Sequence, residues 1–408
     1  MRVLEVDMSA NATPSGILPA RLERKLAEAS FPVTVRTPDG RVATFGEGDR
    51  LEVVANNENG TRAMRSMDEL SIVDAYLNGD IELNGDLIAG MDLRTVLSDR
   101  RLFTRAWTFI QPALMGRRRL NPAWVQKHYD SANIQLYGID EAYQVYTPGL
   151  YLSDEDTLEE GAERKLDYAF RSLNLASGAS VLDVGAGWGG WSRYCARRGV
   201  EVTGISLSNH QLEYARGRLA EEGLQADLRY QDFFSFEPGR QFDAISLMGS
   251  IEELADYPKV MARLQAWLRP GGLIYLDFAA VDRAYGVASF VTRYVWPGAF
   301  RMVYLPAFTR ALARANFDVV EMRSDRRNYH LWAKFGYEKW MRRRDEILPV
   351  CDERTWRLMR LLMAGTAHLM SSHSIWATAY RVVIERRATP GLHGTAVRMH
   401  DAALMGAG

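Results

Sequence analysis

Four glycines could bring the backbone against a ligand. They are Gly185, Gly187, Gly189 and Gly190, in the stretch "VLDVGAGWGG" that begins as an apolar run. Glycine permits a sharp turn and a close backbone approach where a parallel strand ends, which is where open α/β sheets bind ligands. No Lys-Ser or Lys-Thr pair follows, so the stretch is not a phosphate-binding Walker loop. The pattern predicts a cofactor loop, and a tight strand-to-helix turn without a ligand is the plain alternative.

The glycines are too closely spaced for a dinucleotide fingerprint, and the next strand ends in "GISLS" without an acidic residue for a ribose. Asp183 precedes the glycines, and Asp232 follows the third strand in "YQDFF". Together these pieces resemble the class I S-adenosylmethionine-dependent methyltransferase fold, in which an acid after the third strand typically bonds the adenine amine. The resemblance implies that S-adenosylmethionine binds to the 181–235 segment.

A second resemblance is carried by motifs in a fixed order along the chain. "HYD", "VYTPGLY", "TLEEGAERKLDYAFRSLNLASGASVLDVGAGWGGW", "WLRPGGLIYL" and "VWPGAF" resemble the cyclopropane fatty acid synthase and mycolic acid methyltransferase family. The stretch "LSIVDAYLNGDIELNGDL" resembles the N-terminal part of the full-length synthases, so the likeness covers about residues 30–385. That family methylates a cis double bond in a phospholipid acyl chain. The resemblance implies the same partner here, an unsaturated phospholipid acyl chain.

The fold and family motifs, matched residue by residue, imply a cofactor-binding set. Its members are Tyr146, Thr147, Asp183, Gly185, Gly187, Trp188, Ser206, Leu207, Ser208, Gln211, Gln231 and Asp232. Tyr146 and Thr147 match a Tyr-Ser pair near the methionine end of the cofactor. For Trp188 and Gln211 a purely structural role, in core packing and in a helix's first turn, stays open.

The family's reaction starts when the alkene attacks a sulfonium methyl group, which leaves a carbocation beside the new branch. Cyclopropane closure then needs a base, and the resemblance implies a bicarbonate held by Cys, Glu, His and Tyr. In this chain the cysteine position is Pro148, the glutamate is Glu252 with Glu253 after it, the histidine is Asp277 and the tyrosine is Tyr329. Two of the four ligands are therefore retained.

These departures change the expected chemistry. Asp277 next to Glu252 would repel an anion, so bicarbonate is not expected as a cofactor. We expect the two acids to share a proton or act directly as the base, assisted by Tyr329, with pKa values raised by an apolar lipid tunnel. The cation would then give a methylated or methylenated chain, as in relatives that make 10-methylene or furan fatty acid precursors.

Three alternatives stay open at this point. The first is a cyclopropane synthase with a rebuilt base. The second is a catalytically degenerate lipid-binding protein, although its cofactor loop would then be expected to have eroded. The third is methylation of a soluble small molecule, which would not need the N-terminal region.

The elements that position these residues follow from periodicity. From Val181 onward, strands alternate with helices, which predicts an α/β, Rossmann-like, mostly parallel sheet with helices on both faces. "DVVEMRSDRRNYH" and "SIWATAYRVVIERR" are predicted as late strands. Before this region, a helix, a hairpin around "PDG" and a further helix predict a small N-terminal α+β domain. The predicted organisation is a flexible arm (1–17), a lipid-oriented α+β domain (18–115), a linker (116–127), the catalytic domain (128–388) and a mobile tail (389–408).

Composition limits the partners. The net charge of −1 gives no global field for nucleic acid, and two cysteines, Cys195 and Cys351, predict free thiols rather than a disulfide framework. No signal peptide or apolar run of membrane-spanning length is apparent, and no metal site is expected.

Arginine runs at 117–119, 326–327 and 342–344 could lie on lipid headgroups or be solvated helix ends. We expect a cytoplasmic protein, peripheral to the inner face of the membrane; a reductase partner and a homo-oligomer stay open.

Overall fold

The computed structural model describes residues 15–28, 32–47, 51–97, 136–254, 256–282, 290, 293–294, 302–371 and 377–388. Most of the predicted arm, the whole linker and the predicted tail after Ala388 lie outside these residues. The motifs "HYD" and "VWPGAF" and the arginine run at 117–119 lie outside them as well. The domain boundaries at 115 and 128 therefore stay predictions.

The N-terminal part is a four-stranded sheet covered by helices. Its elements are α1 (Ala20–Glu28), β1 (Val33–Arg36), β2 (Val42–Phe45), β3 (Leu51–Ala55), α2 (Glu58–Ser66), α3 (Glu69–Leu77), β4 (Ile81–Gly85), α4 (Leu87–Gly90) and a 3₁₀ turn (Met91–Thr95). The strand order is β2-β1-β3-β4, and β1 and β2 form the predicted antiparallel hairpin. Asp68 caps α3 by accepting a hydrogen bond from the Ser71 backbone N–H at 3.0 Å.

The C-terminal part holds the large sheet. Its elements are α5 (Leu158–Ser172), β5 (Ser180–Val184), α6 (Gly190–Ala196), β6 (Glu201–Ser206), α7 (Asn209–Glu221), β7 (Asp227–Tyr230), β8 (Phe242–Met248), α8 (Tyr257–Trp267), β9 (Leu268–Val281), β10 (Val303–Tyr304), α9 (Leu305–Arg314), β11 (Phe317–Ser324), α10 (Arg326–Arg342), α11 (Arg344–Ile347), α12 (Glu353–Leu369) and β12 (Ala377–Arg386). A 3₁₀ turn (Ile251–Glu253) follows β8. The order is β11-β12-β9-β8-β5-β6-β7, with β10 beside β9. Strands β5 to β9 pair in parallel and β12 runs antiparallel, so the mostly parallel α/β sheet is confirmed.

One predicted strand is too long. The stretch 318–330 was expected to be extended throughout, but β11 ends at Ser324 and α10 starts at Arg326. The backbone N–H of Tyr329 donates to the carbonyl of Asp325 at 2.8 Å, which is the first helical hydrogen bond. The β-branched run stops at Val320, and the residues that follow bury Ala333, Gly336 and Trp340 on one helical face. Tyr329 therefore projects from a helix rather than a strand.

Helix α12 joins the two parts. Its side chains Leu361 and Ala364 belong to the apolar core of the N-terminal part. Arg357 and Arg360, both buried, donate to carbonyl groups around β4: Arg357 Nη1 to Tyr76 at 3.0 Å and Arg360 Nη2 to Leu83 at 2.9 Å. The core of the small sheet is therefore completed by a helix from the catalytic region of the chain.

Two expectations about the chain as a whole can be compared with the described residues. Cys195 and Cys351 are free thiols. Among the helices that the structure describes, none has the length and hydrophobicity needed to cross a bilayer.

Candidate active site

A cavity of about 260 Å³ lies at the carboxyl ends of β5, β6 and β7. It is lined by eleven of the twelve residues expected to bind the cofactor, namely Tyr146, Thr147, Asp183, Gly185, Gly187, Trp188, Ser206, Leu207, Gln211, Gln231 and Asp232. The parallel strands bring these separate segments together because their carboxyl ends meet at one edge of the sheet.

The twelfth residue, Ser208, does not line the cavity. It is fully buried, and its side chain accepts a hydrogen bond from the Gln211 backbone N–H at 3.2 Å, which makes it the N-cap of α7. Serine is a favoured residue at this position because its oxygen satisfies an otherwise unpaired helical N–H. Its contribution to the site is to fix the start of the helix that carries Gln211.

The glycine loop leaves unfilled space beside the backbone of Gly187. Gly185 and Ala186 donate their backbone N–H groups to the carbonyl of Ile205, at 2.9 and 3.0 Å. Gly185 has φ +85°, and a Cβ there would lie 2.6 Å from the Ser250 side chain. Gly187 has φ +51°, and a Cβ there would meet only a backbone oxygen at 3.7 Å. The backbone at Gly187 therefore faces open space in the cavity, as close approach to a ligand requires.

Two residues next to the loop show how well the cavity fits a polar cofactor. The Trp188 indole is buried, and its Nε1 has no hydrogen-bond partner among the described residues. Asp183 accepts hydrogen bonds from the hydroxyls of Ser192 at 2.8 Å and Ser246 at 3.3 Å, and burial raises its pKa to about 6. A lining that combines an unpaired N–H donor, carboxylates and exposed backbone suits a ligand with amine, hydroxyl and purine groups.

The loop before α5 carries Tyr146 and Thr147 and is tied down by buried polar groups. Asp140 accepts three backbone hydrogen bonds, including those from the N–H groups of residues 143 and 145 at 2.6 Å. Arg193, fully buried on α6, donates to the Gln144 side chain at 2.6 Å. Gln144 also lines the cavity and has φ +56°, which is uncommon for a side chain other than glycine.

The segment "VYTPGLY" is held against α5 by glycine-to-glycine contact. A Cβ on Gly149 would lie 2.4 Å from the carbonyl carbon of Gly161, and Leu150 N–H donates to the Gly161 carbonyl at 2.8 Å. The N–H of Tyr151 donates to the Asn328 side chain at 2.9 Å. Pro148 thus sits in a segment pinned between α5 and the start of α10.

Glu252 is a buried carboxyl group with incomplete hydrogen bonding. Its Oε1 accepts from the Ala279 backbone N–H at 2.9 Å, and its Oε2 has no partner among the described residues. Burial raises the pKa of Glu252 to about 8, and the negative charge of Asp277 acts in the same direction. This carboxyl group can take up a proton near neutral pH, which is the property required of a general base.

Glu252 and Glu253 are consecutive residues that face different spaces. Glu253 lines the cofactor cavity, and burial raises its pKa to about 7. Glu252 instead lines a wide groove of about 810 Å³ between α8 and α9, together with apolar side chains such as Met261 and Met302. The 3₁₀ turn after β8 therefore presents one carboxyl group to the cofactor side and the other to an adjoining groove.

Asp277 is not the uncompensated acid that the sequence suggested. It lies on β9 opposite Met248 of β8, and its Oδ2 is 2.7 Å from Lys165 Nζ. Lys165 also donates to the hydroxyl of Thr147. The two charged side chains are 1% and 7% exposed, so they form a buried ion pair next to the cofactor cavity. The positive charge of Lys165 offsets the expected repulsion between the carboxylates of Asp277 and Glu252.

Tyr329 belongs to an aromatic cluster. Its ring lies 5.6 Å from that of Trp332, edge to face, and Trp332 lies 5.8 Å from the ring of Tyr146. Burial raises the pKa of Tyr329, and the charges of Glu252 and Asp277 raise it further, so its hydroxyl stays protonated. The cluster extends from Tyr146, which lines the cofactor cavity, to Tyr329, which is influenced by the charges of Glu252 and Asp277.

Sequence reasoning missed Lys165 and Trp332. Lys165 lies on the buried face of α5, in register with Leu158, Ala162 and Ala169. That helical spacing was visible in the sequence and could have marked the lysine as a buried charge that needs a partner. Trp332 follows Tyr329 by three residues, a relation that becomes meaningful only once this stretch is recognised as helical.

The fold is similar to those of known methyltransferase structures. The cyclopropane synthase MmaA2 of Mycobacterium tuberculosis superposes with a TM-score of 0.59 at 20% identity, covering 65% of this chain and 98% of that one. Coclaurine N-methyltransferase bound to N-methylheliamine and SAH gives a TM-score of 0.60 at 16% identity, covering 77% and 98%. The fold is therefore that of the class I S-adenosylmethionine-dependent methyltransferases.

Sequence comparison identifies the family. Residues 117–378 match the family described as mycolic acid cyclopropane synthetase. A probable fatty acid methyltransferase of Pseudomonas putida is 27% identical over 395 residues, which cover 92% of this chain and 97% of that protein. A probable fatty acid methyltransferase of Mycobacterium tuberculosis is 34% identical over 200 residues, covering 47% and 46%. The chain belongs to the mycolic acid cyclopropane synthetase family; it is a methyltransferase, and its cofactor is S-adenosylmethionine.

Proposed function

We propose that this enzyme methylates a carbon–carbon double bond in the acyl chain of an unsaturated membrane lipid, and that the resulting cation loses a proton to give a methylated or methylenated chain. The observation that carries the proposal is Glu252, a buried carboxyl group with a raised pKa and an oxygen that has no partner among the described residues, next in the chain to Glu253, which lines the cofactor cavity. The names of similar proteins support a lipid substrate: two are probable fatty acid methyltransferases, and a third is a sphingolipid C9-methyltransferase of Gibberella zeae, 24% identical over 335 residues that cover 76% of this chain and 63% of that protein.

In the first step, different residues around the cavity would contact different parts of the cofactor. When bound, S-adenosylmethionine supplies a methyl group on a positively charged sulfur, which makes that carbon electrophilic. Gly187 and Trp188 offer backbone and indole contacts on one side, and Gln231 and Asp232 lie at the end of the third strand, on the side expected for adenine. Attack by the alkene forms the new carbon–carbon bond and leaves a positive charge on the neighbouring alkene carbon.

That positive charge needs stabilisation without a nucleophile that would trap it. The faces of aromatic rings attract cations and are chemically inert towards them. Tyr146, Trp332 and Tyr329 form such a cluster between the cofactor cavity and the acids. We assign the cluster to holding the cation and excluding water.

Glu252 then removes the proton. If the hydrogen on the newly methylated carbon leaves as a proton, its electron pair forms the double bond of a methylated alkene and the proton moves to the carboxylate. For a methylene branch, that hydrogen first shifts as a hydride to the neighbouring cationic carbon, and the carboxylate then takes a proton from the new methyl group. Asp277, paired with Lys165, is poorly placed to take this proton itself because protonation would break the buried ion pair. We assign Asp277 to raising the pKa of Glu252 by its charge, and Tyr329 to assisting as a neutral hydroxyl.

A bound bicarbonate has no role in this scheme. Lys165 is already neutralised by Asp277, so a further anion beside Glu252 would be uncompensated. The second candidate function is cyclopropane synthesis, in which no hydride shifts, the base takes the proton from the new methyl group, and the electron pair of that C–H bond closes the ring at the cationic carbon. It is favoured by the structural likeness to a cyclopropane synthase.

The decisive experiment is lipid analysis after expression in a bacterial host that lacks its own cyclopropane synthase. Both candidate products are heavier than the substrate by one CH₂ group, so mass does not separate them. Ozonolysis does, because a methylene or methylated alkene is cleaved whereas a cyclopropane ring survives. A ring product whose formation is stimulated by added bicarbonate would contradict the proposal. Cofactor binding with no modified lipid would indicate a degenerate lipid-binding protein.

A membrane lipid substrate places the reaction at a membrane surface, and we propose peripheral attachment on the cytoplasmic side. In the arginine runs at 326–327 and 342–344, some of the positive charge is already paired within the protein. Arg327 pairs with Asp154 at 2.6 Å, and Arg344 pairs with Glu353 at 3.0 Å. A methylene product would require a separate reductase if a saturated branch is the final lipid.

A further inference from the structure

One edge of the large sheet is formed by β11, and the side chains of this strand are mostly exposed. β11 pairs with β12 on one side and with no described strand on the other. Val319, Val320 and Met322 are 51%, 45% and 38% exposed, and they are three of the seven large apolar side chains that are exposed among the described residues. An unpaired edge strand with apolar side chains is a template for pairing with another strand.

A β-bulge places two of these apolar side chains on the same face of the sheet. The register with β12 shifts after Val319, and Val320 is left as an extra residue. Val319 and Met322 lie opposite Ile384 and Val382 of β12, which are both buried in the core of the large sheet. In a regular strand, residues three apart would point to opposite faces. The bulge instead lets Val319 and Met322 continue the apolar face of the sheet to its exposed edge.

A second copy of the chain has the side chains needed to cover this edge. When a strand pairs antiparallel with itself, each contact occurs twice about a two-fold axis. With the axis between Val320 and Glu321, Val319 of each copy lies opposite Met322 of the other. Directly opposite residues of antiparallel strands share a face. The two valines and two methionines would therefore form one apolar cluster across the two copies.

The charged side chains of β11 favour the same register. With that axis, Asp318 of each copy lies opposite Arg323 of the other. An axis through Glu321 would instead place two Glu321 carboxylates opposite each other, and like charges in that position are destabilising. Within one chain, Asp318 pairs with Arg387 and Arg323 pairs with Glu321, but both arginines are more than half exposed, at 54% and 55%. Such surface pairs contribute little to stability, so they leave Asp318 and Arg323 able to pair across the axis.

We propose that this protein forms a two-fold symmetric dimer in which the β11 strands of two copies pair edge to edge and join the two large sheets into one. The proposal does not depend on the reaction assigned above. Tyr168 of α5 donates a hydrogen bond to Glu321, and α10, which carries Tyr329, begins just after β11 ends. The paired edge would therefore support two helices that contribute to the active site. A single strand pair is smaller than a standard protein interface, so the dimer should depend on concentration.

Sedimentation velocity of the full-length wild-type protein tests the proposal. The protein should shift from monomer to dimer as its concentration rises. Val319→Lys puts a charge into the apolar cluster twice per dimer and should weaken the dimer roughly tenfold or more. Val350→Lys makes the same change outside β11, at a side chain that is 52% exposed, and should associate like the wild type. A protein that stays monomeric at every concentration, or a dimer that Val319→Lys does not weaken, would overturn the proposal.

An exchange of charges tests the register. Asp318→Arg places like charges opposite each other on both sides of the axis and should weaken the dimer. Adding Arg323→Asp exchanges the two charges and should restore most of the wild-type association, because opposite charges again face each other. Affinity for S-adenosylmethionine should be unchanged in every variant, which serves as the check on folding. A double variant that associates no better than Asp318→Arg alone would contradict this register.

Discussion

Lys165 Nζ lies 2.7 Å from Asp277 Oδ2, and the two side chains are 1% and 7% exposed. The lysine comes from helix α5 and the aspartate from strand β9, so the pair crosses from the helical layer to the sheet. The lysine also reaches Thr147, which lines the cofactor cavity. One buried cation thus connects the cofactor side of the site with the acids.

The first prediction concerns this pair. Lys165→Met should lower the free energy of unfolding by about 3–5 kcal/mol, because it leaves a buried carboxylate without compensation. Adding Asp277→Asn should restore most of that loss. Urea unfolding measures both effects. Arg171→Met removes a cation from an exposed pair, 60% and 44% exposed, and should cost at most about 0.5 kcal/mol. Equal losses for Lys165→Met and Arg171→Met would show that the buried pair is energetically ordinary.

Glu252→Gln is predicted to lower turnover by about 10²–10⁴-fold, the usual contribution of a general base. The amide keeps an oxygen for the Ala279 N–H, so affinity for S-adenosylmethionine should be unchanged. Wild-type turnover should rise with pH through about 8, the pKa to which burial raises Glu252. Glu237→Gln, at a residue that is 75% exposed, is the control. A variant that retains full turnover would exclude Glu252 as the base.

The same carboxyl group makes a prediction about stability. Its pKa is 4.5 when unperturbed and about 8 in the folded protein, so the folded state binds this proton more tightly. Stability must then fall as pH rises from 4.5 towards 8. Glu252→Gln should match the wild type near pH 4 and be more stable by roughly 3 kcal/mol at pH 7. Thermal unfolding measured across this pH range checks the sign, and a variant that is less stable than wild type at pH 7 would contradict it.

The cofactor loop can be tested with two glycines in the same kind of backbone conformation. Gly187 has φ +51° and lines the cavity; Gly178 has φ +84° and no atom within 4 Å of a built Cβ. Alanine at either position should cost about 1 kcal/mol of stability through backbone strain. Calorimetry should find at least tenfold weaker S-adenosylmethionine binding for Gly187→Ala and no change for Gly178→Ala. Gly185 is less suitable, because its substitution would also collide with Ser250.

Membrane attachment through the arginine runs would weaken as salt is added, and the contribution of Arg327 to it can be tested. If arginine runs made the contact, liposome co-sedimentation would fall sharply as salt screens the charges. One member of each described run is paired within the protein, Arg327 with Asp154 and Arg344 with Glu353. Arg327→Gln should therefore leave co-sedimentation unchanged. A marked loss in that variant would restore the basic surface as the docking site.

The order of strands and helices from β5 to β8 was predictable because β5, β6 and β8 are short, mostly buried runs separated by segments with helical spacing. The cofactor cavity was predictable for the same reason, since parallel strands must end at one edge. The sequence alone did not reveal the capping role of Ser208, because a helix cap and a ligand contact use the same kind of residue in the same place. The helix that starts at Arg326 was missed because the β-branched residues before it dominate the local pattern.

The proton-handling residues were harder to predict. The family resemblance identified Glu252, Asp277 and Tyr329. The electrostatic environment of these side chains, however, depends on contacts between distant parts of the chain. Lys165 is 112 positions from Asp277 in the sequence, and nothing local to either residue shows that they meet. The charge balance of the site is therefore a property of the packing of α5 on β9.

Helix α12 belongs to the catalytic region by sequence and to the N-terminal part by packing. Arg357 and Arg360 donate to the backbone carbonyls of Tyr76 and Leu83, and Leu361 and Ala364 fill the apolar centre of the small sheet. Residues 18–97 alone would lose this helix, and the catalytic region alone would carry two arginines and an apolar stripe with nothing to cover them. The two parts are separate in the order of the chain but share one apolar core, so each depends on α12 for its packing.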